Sequence, residues 1–290
     1  MREGMVVACG RHFGEGELQK IRGIIGVDPP PNRRRIATLT CEALDWFGAD
    51  GRAKEMSCRV ALLRLARKGL IELPPPTCGN GNRKPYISQV TIRPPDTEIA
   101  GLVRDLGHLQ VGVVCSRADS RLWNEAIARF HYLGFRPLPG AQIRYLVRRE
   151  RDLVSVVGFG AAAWKVAARD QWIGWSTQQR ETRLHLIVNN ARFLILPWVR
   201  VRNLASWTLA TVTRRLQADW EGRYGYRPVL AETFVERERF FGTCYRGCNW
   251  RCVGETQGRG KLDRHRLRAL PVKLVFVYPL QAEFRKELCS

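Results

Sequence analysis

The chain has 290 residues, 45% of them hydrophobic and 26% charged, a composition that supports a buried core and excludes wholesale disorder. Its 48 Lys and Arg residues against 27 Asp and Glu residues give a net charge of +21, and most of the cations are arginines, whose planar guanidinium grips phosphate oxygens. No stretch has the ~20 apolar residues of a membrane span, residues 1–4 lack the apolar part of a signal peptide, and nine scattered cysteines suit a reducing compartment. We therefore expect a cytoplasmic protein without a membrane partner whose surface binds a polyanion, with a basic surface that has no partner as the alternative.

The first third of the chain predicts three short helices. Helical periodicity covers residues 15–26, 32–47 and 54–68, and the triple proline at 29–31 ends the first helix. Asn32 can cap the second helix, because its side chain accepts a hydrogen bond from a free N–H of the first turn. The residues expected to face a common core are Leu18, Ile21, Ile24 and Ile25 in the first helix, Ile36, Leu39, Leu44 and Phe47 in the second, and Cys58, Leu62 and Leu65 in the third.

A strand over 70–73, a loop over 78–84 and a returning strand over 87–92 are expected to follow. Three helices and then this hairpin are the order of a winged helix-turn-helix, whose third helix enters the major groove of DNA. The basic residues expected on the outward side of the third helix are Lys54, Arg59 and Arg67. Such a helical trio can also serve dimerisation or peptide binding, and that alternative stays open.

The segment at 93–96, Arg-Pro-Pro-Asp, predicts a linker. We therefore expect two domains, a winged-helix-like DNA-binding unit over 1–95 and an α/β domain over 96–290. In the second domain the periodicity predicts helices over 97–108, 120–131 and 203–221, and strands over 143–147, 153–159, 184–188, 193–199, 228–235 and 273–278. Strands with embedded helices predict an α/β or α+β fold.

A series of motifs in this second domain resembles the DruA family. The motifs are HYLG (131–134), WIGW (172–175), NARFLILP (190–197), NLAS (203–206), ETFV (232–235), GTCY (242–245), NW (249–250) and GETQGRG (254–260). One departure is Gly247-Cys248, where the family more often has two alanines. The family takes its name from a subunit of the Druantia anti-phage system, and similar domains accompany transposase genes. The resemblance implies a role in defence or mobile-element biology, with a defence protein or a transposase as partner.

A fainter resemblance is to the acyl-CoA N-acyltransferase (GNAT) fold, carried by the strand 193–199, a basic turn, a helix from Asn203 and the strand 229–235. In that fold a glycine-rich loop before the helix presents N–H groups to a pyrophosphate. Here Asn203 stands in place of the first glycine, and its side chain should obstruct close approach of the cofactor. The resemblance implies a mixed-sheet, GNAT-like domain and an acyltransferase using acetyl-CoA as an alternative function.

Two carboxylates lie within otherwise apolar runs. Asp170 precedes Trp172 by two positions, and Glu232 lies inside the predicted strand 228–235. Because burying an unpaired charge is costly, such carboxylates need a cation. One hypothesis is a pair of oxygen ligands for Mg²⁺ that supports phosphodiester cleavage. The alternative is a structural ion pair, with Arg192 or Arg200 as the expected partner.

Two further groups carry candidate chemistry. Tyr245 has basic neighbours that would favour a phenolate nucleophile, although a packed tyrosine with one hydrogen bond is the alternative. Cys244, Cys248 and Cys252 are spaced four apart, as on one face of a helix, and could bind zinc together with His265. Small buried thiols are the reading that we favour, because a helix does not turn between the cysteines as zinc sites require.

The segment 237–268 is strongly basic. It has nine Lys or Arg residues against three acidic ones. The residues expected to contact nucleic acid are Arg246, Arg251, Arg259, Lys261 and Arg264. The aromatic residues expected to stack on unpaired bases are Phe240, Phe241, Tyr245 and Trp250.

The sequence therefore predicts a DNA-binding protein of an anti-phage or mobile-element system, with RNA as an alternative ligand. Asp170, Glu232 and Tyr245 are its candidate catalytic residues, and Asp170 and Glu232 its candidate Mg²⁺ ligands. The rival functions are a GNAT-type acyltransferase and a non-catalytic subunit that docks on a helicase, nuclease or transposase.

Overall fold

The structure, a computed structural model, describes residues 5–49, 51–76, 90–258 and 270–290. The chain divides into two compact units, Met1–Pro85 and Tyr86–Ser290. The predicted linker at 93–96 lies in the second unit, whose apolar core includes Ile92.

The first unit places a hairpin before three helices. Its elements are β1 (Val6–Ala8), β2 (Arg11–Phe13), α1 (Glu15–Ile25), α2 (Arg33–Ala43) and α3 (Glu55–Arg67). The two strands are antiparallel, and Phe13 on β2 is completely buried beside the helices. Asn32 caps α2 as expected, with its side chain accepting a hydrogen bond from the Arg35 N–H at 3.0 Å. Cys58 and Leu65 of α3 are also fully buried, as the helical periodicity predicted.

The second helix is shorter than expected. It ends at Ala43, and Asp45 has a φ of 50°, a left-handed conformation that a helix cannot continue through. Trp46 is therefore buried at 7% exposure, whereas Phe47 is 40% exposed, so the prediction that Phe47 faces the core is wrong. Residues 44–54 then join α2 to α3, a longer connection than the turn of ~3–4 residues in a helix-turn-helix.

The wing of the predicted winged helix is not confirmed. Residues 70–73 form no strand, and Ile71 packs into the core from irregular backbone. The predicted loop at 78–84 and the first half of the returning strand at 87–92 lie outside the described residues, and residues 90–92 form no strand. The described part of this unit is therefore a three-helix cluster with an N-terminal hairpin.

The second unit is built around a mixed sheet. Its elements are β3 (Ile99–Leu102), β4 (Leu109–Val113), α4 (Arg117–Phe130), β5 (Ile143–Arg149), β6 (Asp152–Ala161), α5 (Ala167–Ile173), α6 (Thr177–Arg183), β7 (Ile187–Ile195), β8 (Val199–Arg202), α7 (Leu204–Tyr224), β9 (Leu230–Glu236), α8 (Thr243–Arg246), β10 (Arg251–Glu255), β11 (Lys273–Pro279) and α9 (Phe284–Leu288). The seven-stranded sheet has the order β10-β11-β9-β7-β6-β5-β4. Neighbouring strands are antiparallel except β7 and β9, which are parallel, and β3 pairs with β8 in a separate parallel pair. The predicted mixed α/β class is confirmed.

Three predicted elements of this unit differ in the structure. Residues 97–108 form β3 and a single 3-10 turn, because Gly101 and Gly107 have φ values of 115° and 69° that interrupt a helix. The predicted strands 184–188 and 193–199 are largely one strand, β7. The polar pair Asn189-Asn190 interrupts the apolar pattern of the strand. The Asn190 side-chain amide nevertheless donates to the Gly158 carbonyl at 3.2 Å, and the residue stays inside the sheet.

The parallel contact between β7 and β9 is short. Register pairs run only from Ile187 with Leu230 to Asn189 with Glu232, although both strands continue beyond this point. Past it, side chains join the strands, since Thr233 Oγ1 donates to the Asn190 carbonyl at 2.9 Å. None of the helices in the described stretches is long and apolar enough to span a bilayer.

Candidate nucleic-acid interface

The two carboxylates predicted to bind Mg²⁺ share one arginine. Arg169 Nη1 donates to Glu232 Oε2 at 2.7 Å, and Arg169 Nη2 donates to Asp170 Oδ1 at 2.7 Å. The adjacent residues Arg169 and Asp170 lie on α5, and Glu232 lies on β9. Arg169 and Glu232 are both completely buried. The guanidinium therefore takes the cation position that the Mg²⁺ hypothesis assigned to a metal.

Further hydrogen bonds complete this cluster. Glu232 Oε1 accepts from the Ala163 N–H at 2.7 Å, and Trp175 Nε1 donates to Asp170 Oδ1 at 3.2 Å. Burial raises the pKa of Glu232, whereas the Arg169 charge and the Ala163 N–H oppose that rise. Within the described residues, no group of three or more His, Cys, Asp and Glu side chains is arranged to hold a metal ion. The geometry thus favours the structural ion pair.

The expected partners of these carboxylates lie elsewhere. Arg200 pairs with Glu98, and Arg192 Nη1 donates to the Ala191 carbonyl at 2.7 Å. The prediction that Arg192 or Arg200 neutralises Asp170 or Glu232 is therefore wrong. Arg169, which the sequence analysis passed over, takes that role because it is next to Asp170 and faces β9.

Tyr245 is a packed residue. The residue is 7% exposed, its hydroxyl donates to Asn190 Oδ1 at 2.7 Å, and Thr233 Oγ1 lies 3.4 Å from the same hydroxyl. Burial raises the pKa of Tyr245 far above its usual range, so the phenolate proposed as a nucleophile is disfavoured. Trp250 is also buried, at 3% exposure. Neither ring is available to stack on a base, and this part of the stacking prediction is wrong.

The three cysteines do not share a helix face. The helix α8 ends at Arg246, after Cys244, and Cys252 lies on β10. Burial raises the pKa of Cys244 to about 11 and that of Cys248 to about 12, which disfavours the thiolates that bind zinc. His265 lies outside the described residues. Cys248 fits the alternative of a small buried thiol, and Cys244 and Cys252 are half-buried.

The helix α3 presents one mixed face to solvent. Met56 is 66% exposed, Val60 and Leu63 are each 39% exposed, and Arg59 and Arg67 are exposed on the same side of the helix. The opposite side, with Cys58, Ala61, Leu62 and Leu65, is buried in the core of the first unit. Lys54 is exposed at the N-cap position of the helix. The outward placement of Lys54, Arg59 and Arg67 agrees with the prediction. The exposed apolar residues between them do not follow from the predicted pattern.

An exposed cluster of aromatic rings and arginines lies on the second unit, and we call it the aromatic–arginine patch. Its contacting members are Tyr132, Arg239 and Phe240, and we include the half-buried Arg192 near Tyr132 and the exposed Phe241, which follows Phe240 in the chain. Arg239 Cζ lies 4.8 Å from the centroid of the Tyr132 ring, and the Tyr132 and Phe240 rings are 5.4 Å apart. Tyr132, Phe240 and Phe241 are 40%, 45% and 84% exposed. Arg192, on β7, lies close enough for its positive charge to oppose the rise in the pKa of Tyr132 that burial causes.

The remaining basic residues of the segment 237–268 are partly described. Arg246 is exposed, with Cζ 5.2 Å from the centroid of the Phe276 ring, and Arg251 is exposed on β10. Arg259, Lys261 and Arg264 lie outside the described residues, so their contacts with nucleic acid stay predictions.

A cavity of about 600 Å³ lies beside the N-terminal half of α7. Its lining includes Asn203 and Ser206 at the start of the helix, Thr213 and Arg214 two turns on, and Cys248 after α8. Asn203 has a φ of 66°, and its side chain makes no hydrogen bond that caps the helix. Thr213 Oγ1 is buried and has no hydrogen-bond partner among the described residues.

Comparison with protein families yields one match. The family described as Druantia protein DruA matches residues 66–270. The chain belongs to the DruA family. This membership indicates a protein of an antiviral defence system and confirms the resemblance inferred from the motifs. No curated protein is significantly similar in sequence to the chain.

Solved structures with a distant likeness are acetyltransferases. They include the ribosomal-protein-S18-alanine N-acetyltransferase from Escherichia coli, with 5% identity, coverage of 60% of this chain and 96% of that chain, and a TM-score of 0.38. An N-acetyltransferase from Staphylococcus aureus Mu50 has 7% identity, coverage of 60% and 99%, and a TM-score of 0.38. The Drosophila melanogaster polyamine N-acetyltransferase has 12% identity, coverage of 59% and 100%, and a TM-score of 0.37. Acetyltransferases of this kind match the fainter resemblance to the GNAT fold. At such TM-scores the likeness gives no information about activity.

The DruA motifs converge in the structure. Asn190, Thr233 and Tyr245 come from three separate motifs and form one buried hydrogen-bond network. Gly247, where the sequence departs from the family, lines the cavity beside α7. The convergence joins β7, β9 and α8 and thereby supports the surface on which the aromatic–arginine patch lies.

Proposed function

We propose that this DruA-family chain is a DNA-binding subunit of an anti-phage defence system and that α3 contacts the DNA. The observation that carries the proposal is the exposed face of α3, where two arginines alternate with Met56, Val60 and Leu63. Arginine bonds to guanine edges and to phosphates, and apolar side chains contact thymine methyl groups in the major groove. A helix anchored on its other side by a buried core presents such a face at fixed geometry.

The charge of the chain supports the same proposal. A net charge of +21 attracts a polyanion over distances longer than a hydrogen bond and speeds encounter. Cleavage is not part of the proposal, because Asp170 and Glu232 are both engaged by Arg169. The chain would then bind DNA, and a partner protein of the defence system would catalyse any reaction on it.

The test uses a double variant of α3, Arg59→Ala with Arg67→Ala, and a matched control on α4, Arg117→Ala with Arg121→Ala. All four arginines are exposed, and each pair removes the same charge from a helix. Duplex binding by the α3 variant should weaken at least tenfold, and the slope of log K against log salt should fall by about two units. Equal losses in both variants would mean that overall charge, and not α3, determines the affinity, and an unchanged affinity of the α3 variant would mean that α3 serves dimerisation or docking.

The basic loop offers a second test of the same function. Replacing Arg259, Lys261 and Arg264 by Ala should flatten the salt dependence by about two to three units if all three contact phosphates. An affinity loss at unchanged slope would indicate damaged packing.

A second candidate function is acyl transfer from coenzyme A, which the cavity beside α7 favours. The volume of about 600 Å³ is within the range of ligand sites. The N–H groups of the first turn of a helix can bind a pyrophosphate, and Arg104 and Arg202 line an adjoining hollow of about 370 Å³. Coenzyme A should then raise the melting temperature of the wild-type chain but not of Ala210→Trp, which fills the cavity. An unchanged melting temperature in the wild type would remove this candidate.

A further inference from the structure

We propose that the aromatic–arginine patch binds unpaired nucleotides of a single strand, with a base stacked on its rings and a phosphate held by its arginines. The inference rests on the proposed nucleic-acid function and gives the second unit a ligand different from the duplex assigned to α3. The ligand class is single-stranded DNA or RNA, which present the same base faces and phosphates.

Exposure of the rings is the first observation. Tyr132, Phe240 and Phe241 are all at least 40% exposed, although Tyr245 and Trp250 from the same stretch of chain are 7% and 3% exposed. Tyr245 and Trp250 are thus buried, whereas these three rings, like Trp164, remain in water, which is costly for apolar surface. Arg239 and His131 both lie against the Tyr132 ring, so the exposed rings that can stack on a base are those of Phe240 and Phe241.

Unpaired arginines are the second observation. Among the described residues, neither Arg239 nor Arg192 forms an ion pair, whereas Arg237, two positions from Arg239, is paired with Glu255 at 3.1 Å. Arg192 Nε is buried and has no hydrogen-bond partner in the described part of the chain. A phosphate oxygen would supply the anionic partner that the exposed Arg239 guanidinium lacks.

The acidic groups nearby do not neutralise the patch. Glu236, at the end of β9, contributes its negative charge to the rise in the pKa of Tyr132. Glu238 is exposed in the turn that follows. Arg239 lies over the Tyr132 ring itself, so the stacking face carries positive charge. A nucleotide offers both a π-face and an anion, and it therefore complements this surface better than an apolar peptide does.

Both halves of the patch are held in place. The turn after α4 is fixed by a bond from the Gly134 N–H to the His131 carbonyl at 2.8 Å and by one from the Leu133 N–H to His131 Nδ1 at 3.2 Å. The turn after β9 is fixed by a bond from the Phe240 N–H to the Glu236 carbonyl at 2.9 Å. Because the rings are positioned before binding, less conformational entropy is lost on association.

The test measures binding of the full chain to labelled oligothymidylate and oligouridylate of about 15 nucleotides and to a duplex of the same length. The patch variants are Tyr132→Leu, Arg239→Gln and Phe241→Ala. The controls are Trp164→Leu, another exposed ring at 56% exposure, and Arg151→Gln, another exposed arginine. Each patch variant should weaken single-strand binding about tenfold relative to its control and leave duplex binding within about twofold.

The outcomes separate this inference from the proposed function. Phe241→Ala removes a side chain that is 84% exposed, so its result stands even if another variant fails to fold. Patch variants that bind single strands as well as their controls would overturn the inference. Wild-type binding to duplex but not to single strands would overturn it and leave the role of α3 intact, whereas binding to neither would overturn both. Retained single-strand binding with lost binding to a purified defence-system partner would identify the patch as a protein interface instead.

Discussion

Arg169 and Glu232 form a completely buried ion pair, with 2.7 Å between Nη1 and Oε2. The pair ties α5 to β9 at Glu232, where the parallel register between β7 and β9 ends. Arg169 also pairs with Asp170, whose other carboxylate oxygen lies 3.9 Å from Arg180 Nη1, so two arginines balance the two carboxylates. The cluster therefore joins α5 to β9 at the point where the backbone pairing of β9 with β7 stops.

Removing the charge of Glu232 should destabilise the fold. Glu232→Gln leaves Arg169 buried with one carboxylate, and breaking a buried pair costs about 3–5 kcal/mol. Asp170→Asn should cost less, because Asp170 is 16% exposed. Urea unfolding measures both effects, and Arg169→Met combined with Glu232→Leu should recover part of the loss.

The same variants test the Mg²⁺ hypothesis. If Glu232→Gln and Asp170→Asn keep wild-type stability and nucleic-acid binding but lose a magnesium-dependent nicking activity, the carboxylates form a metal site. We expect no such activity to be lost.

Tyr245→Phe should show whether the Tyr245 hydroxyl has a structural or a catalytic role. The variant keeps the ring and removes the hydroxyl that donates to Asn190, leaving a buried amide oxygen unsatisfied. The free energy of unfolding should fall by about 1–3 kcal/mol, and nucleic-acid binding should not change. Loss of a phosphoryl-transfer activity at unchanged stability would return Tyr245 to the role of nucleophile.

Gly242→Ala should be more harmful than a glycine substitution at a comparable turn. Gly242 has a φ of 67°, and a Cβ there would lie 2.6 Å from the Phe276 ring. Gly225 has a φ of 76° with open space around it, so Gly225→Ala measures the backbone cost alone, about 1 kcal/mol. The difference between the two variants, about 1–3 kcal/mol, is the cost of the clash. Equal melting temperatures would show that the Phe276 ring moves aside freely.

The stability of the chain should depend on the protonation of His131. Burial, together with the charge of Arg192, lowers the pKa of His131 from 6.5 to about 4. As the pH falls, the unfolded state takes up this proton first, so stability is complete above about 6.5 and declines toward about 4. His131→Asn retains an acceptor for the Leu133 N–H and should show a smaller stability loss between neutral pH and about pH 5. Parallel pH profiles for the variant and the wild type would contradict this assignment.

Local sequence determined much of this protein. The helices α1 and α3, the Asn32 cap and the outward arginines of α3 follow from apolar periodicity and side-chain hydrogen bonding within a few residues. The family was also apparent from its motifs, because their order along the chain survives without any knowledge of contacts.

Only tertiary structure decided which polar groups meet. Arg169 and Glu232 are 63 positions apart, and nothing in local periodicity distinguishes Arg169 from Arg192 or Arg200 as the partner. Tyr245 and Tyr132 are both tyrosines in family motifs, yet the sheet buries one against Asn190 and leaves the other exposed beneath Arg239. Burial and charge pairing depend on how distant strands and helices pack, so these long-range contacts, rather than residue type, determine which side chains hold the fold and which are free to bind a ligand.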